Sequence, residues 1–344
     1  MREINKAPDS VVEAGQFCYG CYNEPIRRVN LLDAKLGSLG MSKNFRLREW
    51  QAFQLYSAQG WFVMIALYNT KKICIVQFIL YNRHTRKKIH CEKKVLPRSL
   101  RIPNGLYKTQ AGHSSKGFDF AVEHDIDNAL LTIKVQVAAT KDHPQISARF
   151  SAEHDCTRFS PIVVCMPFTD KKGMYSHKCL MPLEGQLSVG QDVITFDKKD
   201  SSLIIDDHKG YYPYNTRYDW ATALGFDNEG RRYGFNLTDN QVLDQDKYNE
   251  NCFWIDGEML PLPPVKFSRP NGYKESWLIE DEAGMVKLVF TPQVHNSVRL
   301  NLLILASNYE GPYGVFNGVI QVGDGRSFQL EDTFGMGEKF FLRS

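Results

Sequence analysis

Short strand-like segments separated by turns follow one another along almost the whole chain. Residues 61–69 and 73–81 are apolar and rich in β-branched and aromatic side chains, and the Thr-Lys-Lys sequence at 70–72 predicts a tight turn between them. Residues 131–137 alternate between apolar and polar side chains, which indicates a strand with one buried face. Roughly eighteen such segments can be counted, and only residues 29–40 favour a helix.

This succession of short strands predicts an all-β fold. Roughly eighteen strands are too many for one small barrel, whereas two barrels of about eight to ten strands each would accommodate them. We therefore expect two tandem antiparallel β-barrels packed together. Residues 1–180 would form the first barrel and residues 181–344 the second. Strands exchanged between the barrels would move this boundary.

The composition is that of a globular protein and excludes several classes. Of the 344 residues, 43% are hydrophobic and 24% charged, which excludes wholesale disorder. No apolar run is long enough for a transmembrane helix, and the first 25 residues lack the apolar core of a secretory signal. We therefore expect a cytoplasmic protein whose 8 cysteines are reduced. Cys18 and Cys21 form a CxxC without a second pair, and the 9 histidines show no metal spacing, so we expect no metal or cofactor.

Positive charge is concentrated in the first part of the chain. Residues 1–100 carry 17 Lys and Arg against 7 Asp and Glu, although the whole chain has a net charge of only +3. The excess is densest between Arg83 and Arg101, where 8 of 19 residues are basic. This segment would suit peripheral contact with an anionic surface. Alternatively, it is a solvated hairpin followed by an edge strand that carries lysines against aggregation. No aromatic residue interleaves the run, so we expect no specific nucleic acid partner.

The most unusual segment is residues 206–225, DDHKGYYPYNTRYDWATALG. It is too polar for an ordinary core strand and too aromatic for an ordinary loop. It resembles the hallmark of the family called domain of unknown function 2804, which has the similar pattern Gly-x-x-Pro-Tyr-x-Thr-x-Trp-x-Trp-Ala. The matching residues here are Gly210, Pro213, Tyr214, Thr216, Trp220 and Ala221, with Tyr218 in place of the first tryptophan.

More distantly, the same segment is similar to the Asp-His-x-x-Gly…Trp-x-Trp motif of AttH-like proteins and carotenoid hydratases. The resemblance implies two lipocalin-like (calycin) barrels in tandem, in agreement with the strand pattern. It implies no specific reaction. A lipocalin-like barrel holds one small apolar molecule, so the implied partner is a hydrophobic or amphipathic, lipid- or isoprenoid-like ligand.

Several residues of this segment are candidates for contact with such a ligand. A buried carboxyl could donate a proton, a histidine could orient it or act as the acid, and aromatic faces could stabilise positive charge. We predict that the catalytic residues, if any, are Asp207, His208 and Asp219, with Asp206 as a further proton donor. The predicted ligand-binding residues are Tyr211, Tyr214, Arg217, Tyr218, Trp220 and Asn236.

Three functions remain open on the sequence. The first is a binding protein for a small hydrophobic or amphipathic molecule in a barrel cavity. The second is a hydratase, cyclase or isomerase that acts on such a molecule by acid–base chemistry. The third is an interaction module for anionic surfaces. In each case the aromatic residues of 206–225 could instead serve packing alone, inside a barrel or between the two barrels.

Overall fold

The computed structural model describes residues 2–36, 42–301 and 306–343. Within these ranges the chain is almost entirely β-strand, so the predicted all-β class is confirmed. One short α-helix, α1 (Ser42–Arg46), and three 3-10 turns at Leu31–Asp33, Pro97–Ser99 and Ile126–Asn128 are the helical elements of the described residues. Of the helix expected over 29–40, the described part is helical only at Leu31–Asp33, and residues 37–40 lie outside the described ranges.

The first sixteen strands run from the N-terminus to Gly210. They are β1 (Ile4–Asn5), β2 (Val12–Glu13), β3 (Gln16–Phe17), β4 (Gly20–Tyr22), β5 (Arg48–Ser57), β6 (Trp61–Asn69), β7 (Cys74–Asn82), β8 (Lys88–Val95), β9 (Thr109–Ser115), β10 (Phe118–Asp125), β11 (Leu130–Val137), β12 (Ile146–Glu153), β13 (Ile162–Thr169), β14 (Lys172–Val189), β15 (Asp192–Phe196) and β16 (Ser201–Gly210).

The remaining eleven strands follow from Asn215. They are β17 (Asn215–Phe226), β18 (Arg232–Asp239), β19 (Cys252–Ile255), β20 (Glu258–Pro261), β21 (Lys266–Ser268), β22 (Trp277–Glu280), β23 (Val286–Val294), β24 (Ser297–Asn301), β25 (Ala306–Glu310), β26 (Tyr313–Gln321) and β27 (Ser327–Arg343).

The first sheet has 14 strands, and its main path is β8-β7-β6-β5-β16-β14-β12-β11-β10-β9. The hairpin predicted from residues 61–81 is confirmed, because β6 and β7 pair from Trp61 with Asn82 to Asn69 with Cys74. The long strand β14 changes its pairing partners along its length. Its first part pairs with β13 and β16, and its second part pairs with β12 and β15. The basic strand β8 lies at one end of the path.

The second sheet has 11 strands, in the order β20-β19-β18-β17-β27-β26-β23-β22-β21, with β24 and β25 attached through β27. The chain passes from the first sheet to the second between Gly210 and Asn215. Strand β14 passes residues 180 and 181 without a break, so the first sheet extends beyond residue 180. The domain boundary at that residue stays a prediction, and the pairing of strands favours a later one.

Each sheet curls around its own apolar core. In the first, alternate residues such as Phe53, Ile133 and Leu203 point inward, and in the second Phe235, Trp277 and Phe316 do so. The expectation of two packed lipocalin-like barrels is therefore confirmed in the form of two curled antiparallel half-barrels. Among the described residues the strand order closes neither one, since the path of the first ends at β8 and β9 and that of the second at β20 and β21.

A third apolar cluster joins the half-barrels. It is made by the outward faces of β5, β6, β7, β13, β14 and β16 against those of β17, β19, β26 and β27. Phe334 of β27, for example, lies with its ring 5.4 Å from that of Phe62 and 5.2 Å from that of Tyr81. The hairpin strands β6 and β7 contribute residues both to this cluster and to the core of the first half-barrel. Burial on two faces explains why their sequences are apolar almost without alternation.

Gly185 lies next to the point where β14 changes its pairing partners. Its φ is +146°, and a Cβ there would lie 2.2 Å from the carbonyl oxygen of Arg149 on β12. A side chain would therefore clash with backbone as well as strain the dihedral angle.

Replacing this glycine should destabilise the first half-barrel. We expect Gly185→Ala to lower the free energy of unfolding by at least about 3 kcal/mol, measured by urea denaturation. Gly325→Ala is the matched control, because Gly325 also has a positive φ of +91° but has no atoms within 4 Å of its Cβ position. Strain alone should cost about 1 kcal/mol there. Equal effects of the two substitutions would contradict the predicted clash at Gly185.

Candidate functional site

Strand β16 carries four consecutive polar residues, from Asp206 to Lys209, and all four are buried. Side chains of a strand alternate between its faces. Ile204 packs in the cluster between the half-barrels and Ile205 in the core of the first half-barrel. The same alternation directs Asp206 and His208 toward the second sheet, and Asp207 and Lys209 into the first half-barrel. The strand therefore separates two polar sites.

The first site, which we call the cleft, lies between the two sheets. Lys178 of β14 is paired with Asp206 of β16, and its ammonium lies 3.0 Å from the Asp206 carboxylate. The same ammonium is 3.6 Å from Glu250, which precedes β19. All three side chains are at least nine-tenths buried. Glu250 also accepts a 2.9 Å hydrogen bond from the Thr238 hydroxyl. Two carboxylates thus share one lysine away from water.

Trp220 and Asn236 of the second sheet hold this group in place. The Lys178 ammonium lies 5.3 Å from the centre of the Trp220 ring, within the range of a cation–π contact. The Trp220 indole donates a 2.7 Å hydrogen bond to the Asn236 side-chain oxygen, and Asn236 donates in turn to the carbonyl of Glu250 at 2.8 Å.

Glu338 of β27 is the third carboxyl group of the cleft. It pairs with Trp220 across the strands and is buried. The side chains of Tyr218 and Tyr309 lie beside it. Burial raises the pKa of Glu338 to about 7, and the nearby Asp206 adds to the rise, although the two tyrosines and Lys178 oppose it. A carboxyl group with this pKa is able to give and to take a proton near neutral pH.

The balance of charge in the cleft explains this shift. Lys178 and the buried guanidinium of Arg2, which lies near Glu250, bring two positive charges to three carboxyl groups. Ionising all three would leave an excess negative charge in a region of low permittivity. Burial also raises the pKa of Asp206, and Lys178 opposes that rise. Protonation of Glu338 relieves the excess.

His208 borders the carboxylates on the side of the first sheet. Trp50 stacks on its ring at 3.9 Å, and the Tyr212 hydroxyl is hydrogen-bonded to its Nε2. Its Nδ1 lies 3.9 Å from Asp206 and has no hydrogen-bond partner among the described residues. Burial lowers the pKa of His208 well below its usual value, and Lys178 adds to the effect, so the imidazole is neutral at neutral pH.

Tyrosines form the walls of the cleft. Tyr68, Tyr212, Tyr218 and Tyr309 lie deep between the sheets, yet each retains part of its accessible surface. These side chains therefore place aromatic surface that is partly accessible next to the buried polar groups. The combination of aromatic walls with a few fixed polar groups is typical of sites for small amphipathic molecules.

The second polar site lies inside the first half-barrel, and we call it the histidine chamber. Asp207 accepts a 2.9 Å hydrogen bond from Gln51, whose side-chain oxygen is 3.1 Å from Nε2 of His124. His154 and His177 contact each other through their Nε2 atoms at 3.0 Å. Within the described structure the Nδ1 atoms of all three histidines and one oxygen of Asp207 have no hydrogen-bond partner.

Burial controls protonation in the histidine chamber. It lowers the pKa of His124 to about 3 and that of His154 to about 4, and it lowers the pKa of His177 in the same direction. It raises the pKa of Asp207 to about 6, with Lys209 and Gln51 opposing. The three imidazoles are therefore neutral at neutral pH.

The structure brings four of the nine predicted site residues into the cleft: His208, Tyr218, Trp220 and Asn236. The other five lie elsewhere. Asp207 is in the histidine chamber, and Asp219 is engaged by Arg269 at 2.5 Å and Lys339 at 3.4 Å. Tyr214 and Arg217 are exposed, and Tyr211 is buried against the N-terminal segment. All nine roles stay predictions.

Sequence reasoning missed Lys178, Glu250 and Glu338. A weak signal existed for two of them, because Lys178 precedes the apolar run 179–181 of β14 and Glu338 lies in a largely apolar part of β27 after Phe334. A charge at such a position must be paired or functional. Glu250 lies in a polar loop, where nothing in the sequence distinguishes it.

The segment between Arg83 and Arg101 includes the β7–β8 turn and the edge strand β8. Lys88 is half-buried, with its ammonium 5.8 Å from the ring centre of Tyr313, and burial lowers its pKa. Contact with anionic surfaces stays a prediction. No helix in the described part of the chain is both long and apolar enough to cross a membrane. Across those same ranges no three His, Cys, Asp or Glu side chains are grouped so as to hold a metal. All 8 cysteines are free thiols.

Fold and site together define an all-β protein of two half-barrels with a buried carboxyl cleft between them. The chain belongs to the family described as "Domain of unknown function (DUF2804)", whose pattern matches residues 1–343. The predicted family is thereby confirmed. No curated protein matches the sequence significantly.

Two solved structures are similar at low identity. One is a candidate AttH from Nitrosomonas europaea, with 13% identity, a TM-score of 0.48 and coverage of 87% of this chain and 92% of that one. The other is kievitone hydratase from Nectria haematococca, with 12% identity, a TM-score of 0.47 and coverage of 95% and 98%.

The histidine chamber should make stability dependent on pH. Folded His124 stays neutral down to about pH 3, whereas the unfolded residue takes up a proton below its ordinary pKa of 6.5. The stability that this difference contributes is complete above pH 6.5 and is lost as the pH falls toward 3. Asp207 acts in the opposite direction, because folding raises its pKa from 3.8 to about 6.

We therefore expect His124→Gln to flatten the acid limb of the stability curve. Between about pH 6 and pH 4, the slope of the free energy of unfolding should fall by about 1.4 kcal/mol per pH unit. Urea denaturation at a series of pH values measures it. The surface substitution His143→Gln is the control and should leave the slope unchanged. An unchanged slope in His124→Gln would show that the imidazole is solvated in the folded state.

Glu338 should be visible as a protonated carboxylic acid. At pH 6 the infrared spectrum should contain a carboxylic acid C=O band that is absent from Glu338→Gln and that titrates with a midpoint near pH 7. Glu331→Gln, which alters an exposed glutamate of the same strand, should keep the band. A difference band that disappears at the pH of an ordinary glutamate would contradict the assigned environment.

Proposed function

We propose that the protein catalyses a proton-transfer reaction on a small amphipathic molecule bound in the cleft, with Glu338 as proton donor and acceptor. The reaction would be a hydration, a cyclisation or an isomerisation. One observation carries the proposal: the buried Glu338 lies opposite Trp220, whose ring contacts the lysine shared by Asp206 and Glu250, and burial raises the pKa of this third carboxyl group to about 7. Perturbed carboxyl groups of this kind are characteristic of general acids and bases.

The surrounding groups suit this chemistry. In a hydration, the Glu338 carboxyl would transfer its proton to one carbon of a C=C bond, whose π electrons form the new C–H bond. Water would then add to the other carbon, and its surplus proton would return to the Glu338 carboxylate. The positive charge that develops on carbon would be stabilised by Asp206 and Glu250, which share a single lysine.

The other residues of the cleft would position the reactants. Tyr218 and Tyr309, whose side chains lie beside the Glu338 carboxyl, would orient it through their hydroxyls. The neutral imidazole of His208 has an unoccupied Nδ1, which could accept a hydrogen bond from water or from a ligand hydroxyl. The excess of carboxyl groups favours an uncharged reactive part of the ligand, since an anion would be repelled.

A second function, binding without chemistry, is supported by the tyrosine walls alone. A pure carrier has no need of buried carboxyl groups, which cost free energy to desolvate. The two functions differ in what they require of Glu338. A catalyst loses turnover but keeps binding when this carboxyl is replaced, whereas a carrier shows no turnover in any form.

Exchange of hydrogen with solvent tests the proposal. Molecules extracted from the purified protein, together with a panel of conjugated enones and polyenes as probes, are incubated with the enzyme in D2O and analysed by mass spectrometry. We expect deuterium incorporation or water addition by the wild type. Glu338→Gln should slow it at least about 100-fold while retaining binding of the same molecule.

Glu331→Gln is the control and should match the wild type. Turnover by Glu338→Gln at the wild-type rate would overturn the role of Glu338. Saturable binding without any exchange in the wild type would replace the proposal with the carrier function.

A further inference from the structure

A cationic depression lies beside the cleft, at the end of β16. It has a volume of about 250 Å³ and is lined by Arg46, Lys171 and Lys172, by the single acid Asp170 and by Tyr211. Positive charge therefore exceeds negative charge in its walls. Among the described residues, neither Arg46 nor Lys172 has a carboxylate within ion-pair distance.

A residue with a buried hydroxyl lines the same depression. Tyr211 is 2% exposed, and its ring packs against the apolar N-terminal segment. Its hydroxyl group is buried and has no hydrogen-bond partner in the described ranges, and the residue belongs to the lining of the depression. Leaving a buried hydroxyl unpaired costs free energy. Burial raises the pKa of Tyr211, so the hydroxyl keeps its proton and can donate it in a hydrogen bond.

Two further cations lie near Lys172. Lys172 is partly buried, which lowers its pKa, and Arg46 and Arg48 lower it further. Arg48 stands behind the depression, with its guanidinium 5.7 Å from the ring centre of Tyr212 and one nitrogen 3.3 Å from the Thr216 hydroxyl. An anion bound here would offset the mutual repulsion of these cations.

We infer that the depression is a binding subsite for an oxyanion, such as a carboxylate or phosphate group, held by Arg46 and Lys172 and by a hydrogen bond from Tyr211. Fixed donors around an anion give strong, charge-assisted hydrogen bonds. The rigid packing of the Tyr211 ring means that its donor is already in place before the anion arrives.

The position of the subsite also indicates what the cleft binds. Tyr211 lines the subsite, and the next residue, Tyr212, is hydrogen-bonded to His208 in the cleft. A ligand with an acidic group at one end would be anchored by the cations, while its uncharged part reaches the carboxyl groups of the cleft. This step rests on the proposed function, whereas the oxyanion subsite itself does not.

Titration with small anions tests the subsite. Inorganic phosphate and acetate are titrated calorimetrically into the wild type, followed by dodecanoate, dodecyl phosphate and the uncharged dodecanol. We expect saturable binding of at least one small anion, and tighter binding of an alkyl anion than of dodecanol. The relative affinities for acetate and phosphate distinguish a carboxylate ligand from a phosphate ligand.

Three substitutions locate the binding. Lys172→Gln should weaken anion binding about tenfold or more, and Tyr211→Phe about three- to tenfold. Tyr211→Phe removes an unpaired hydroxyl, so its thermal midpoint should not fall, which separates loss of binding from loss of fold. Lys141→Gln, which changes an exposed lysine elsewhere, is the control and should bind as the wild type does.

Other results would overturn the inference. They are the absence of saturable binding of any small anion, equal binding in all variants, or retention on phosphatidylglycerol vesicles without binding of the soluble anions. Glu338→Gln separates the two proposals, because it should leave phosphate or acetate binding unchanged. Anion binding without turnover would disprove only the proposed function, and turnover without anion binding only the subsite.

Discussion

The pairing of Lys178 with Asp206 between two apolar sheets is the interaction on which the rest of the site depends. These residues face each other on neighbouring strands, and the sheet packed over them removes water. Breaking a buried pair leaves an uncompensated charge, which is strongly unfavourable. The second sheet must therefore supply matching groups, and it does so with Trp220, Asn236 and Glu338. The cleft therefore forms only where the two half-barrels pack against each other.

Side chains alternate between the two faces of β16, so one short sequence contributes residues to two sites. Asp206 and Asp207 are neighbours in the chain, yet they point to opposite faces of the strand. Asp206 lies beside Lys178 and a net excess of carboxyl groups, whereas Asp207 accepts a hydrogen bond from Gln51, which in turn contacts the neutral His124. Identical side chains thus acquire different environments without any change in the backbone. The cleft is the more open of the two, since its tyrosines retain accessible surface.

Much of the fold could be predicted from the sequence, because hairpins are local. The pairing of residues 61–69 with the following strand depends on a short turn and on apolar side chains, both of which can be read directly. The residues that form the cleft could not be predicted in this way. In the sequence, most strands of the second sheet lie between Asp206 and Glu338, and only the packing of the two sheets brings these residues close together. The position of Asp219 also depends on packing between distant strands, because its carboxylate lies 2.5 Å from Arg269, and its role as an acid stays a prediction.

Photoaffinity labelling tests most directly whether the cleft between the half-barrels is the ligand site. A fatty alcohol bearing a diazirine is irradiated with the protein, and the labelled residues are mapped by mass spectrometry of peptides. The account predicts labels on residues of β6, β17 and β27 that face the cleft, and their loss when excess dodecanol competes. Labels confined to the apolar interior of either half-barrel, or labels in the cleft that excess dodecanol does not reduce, would contradict it.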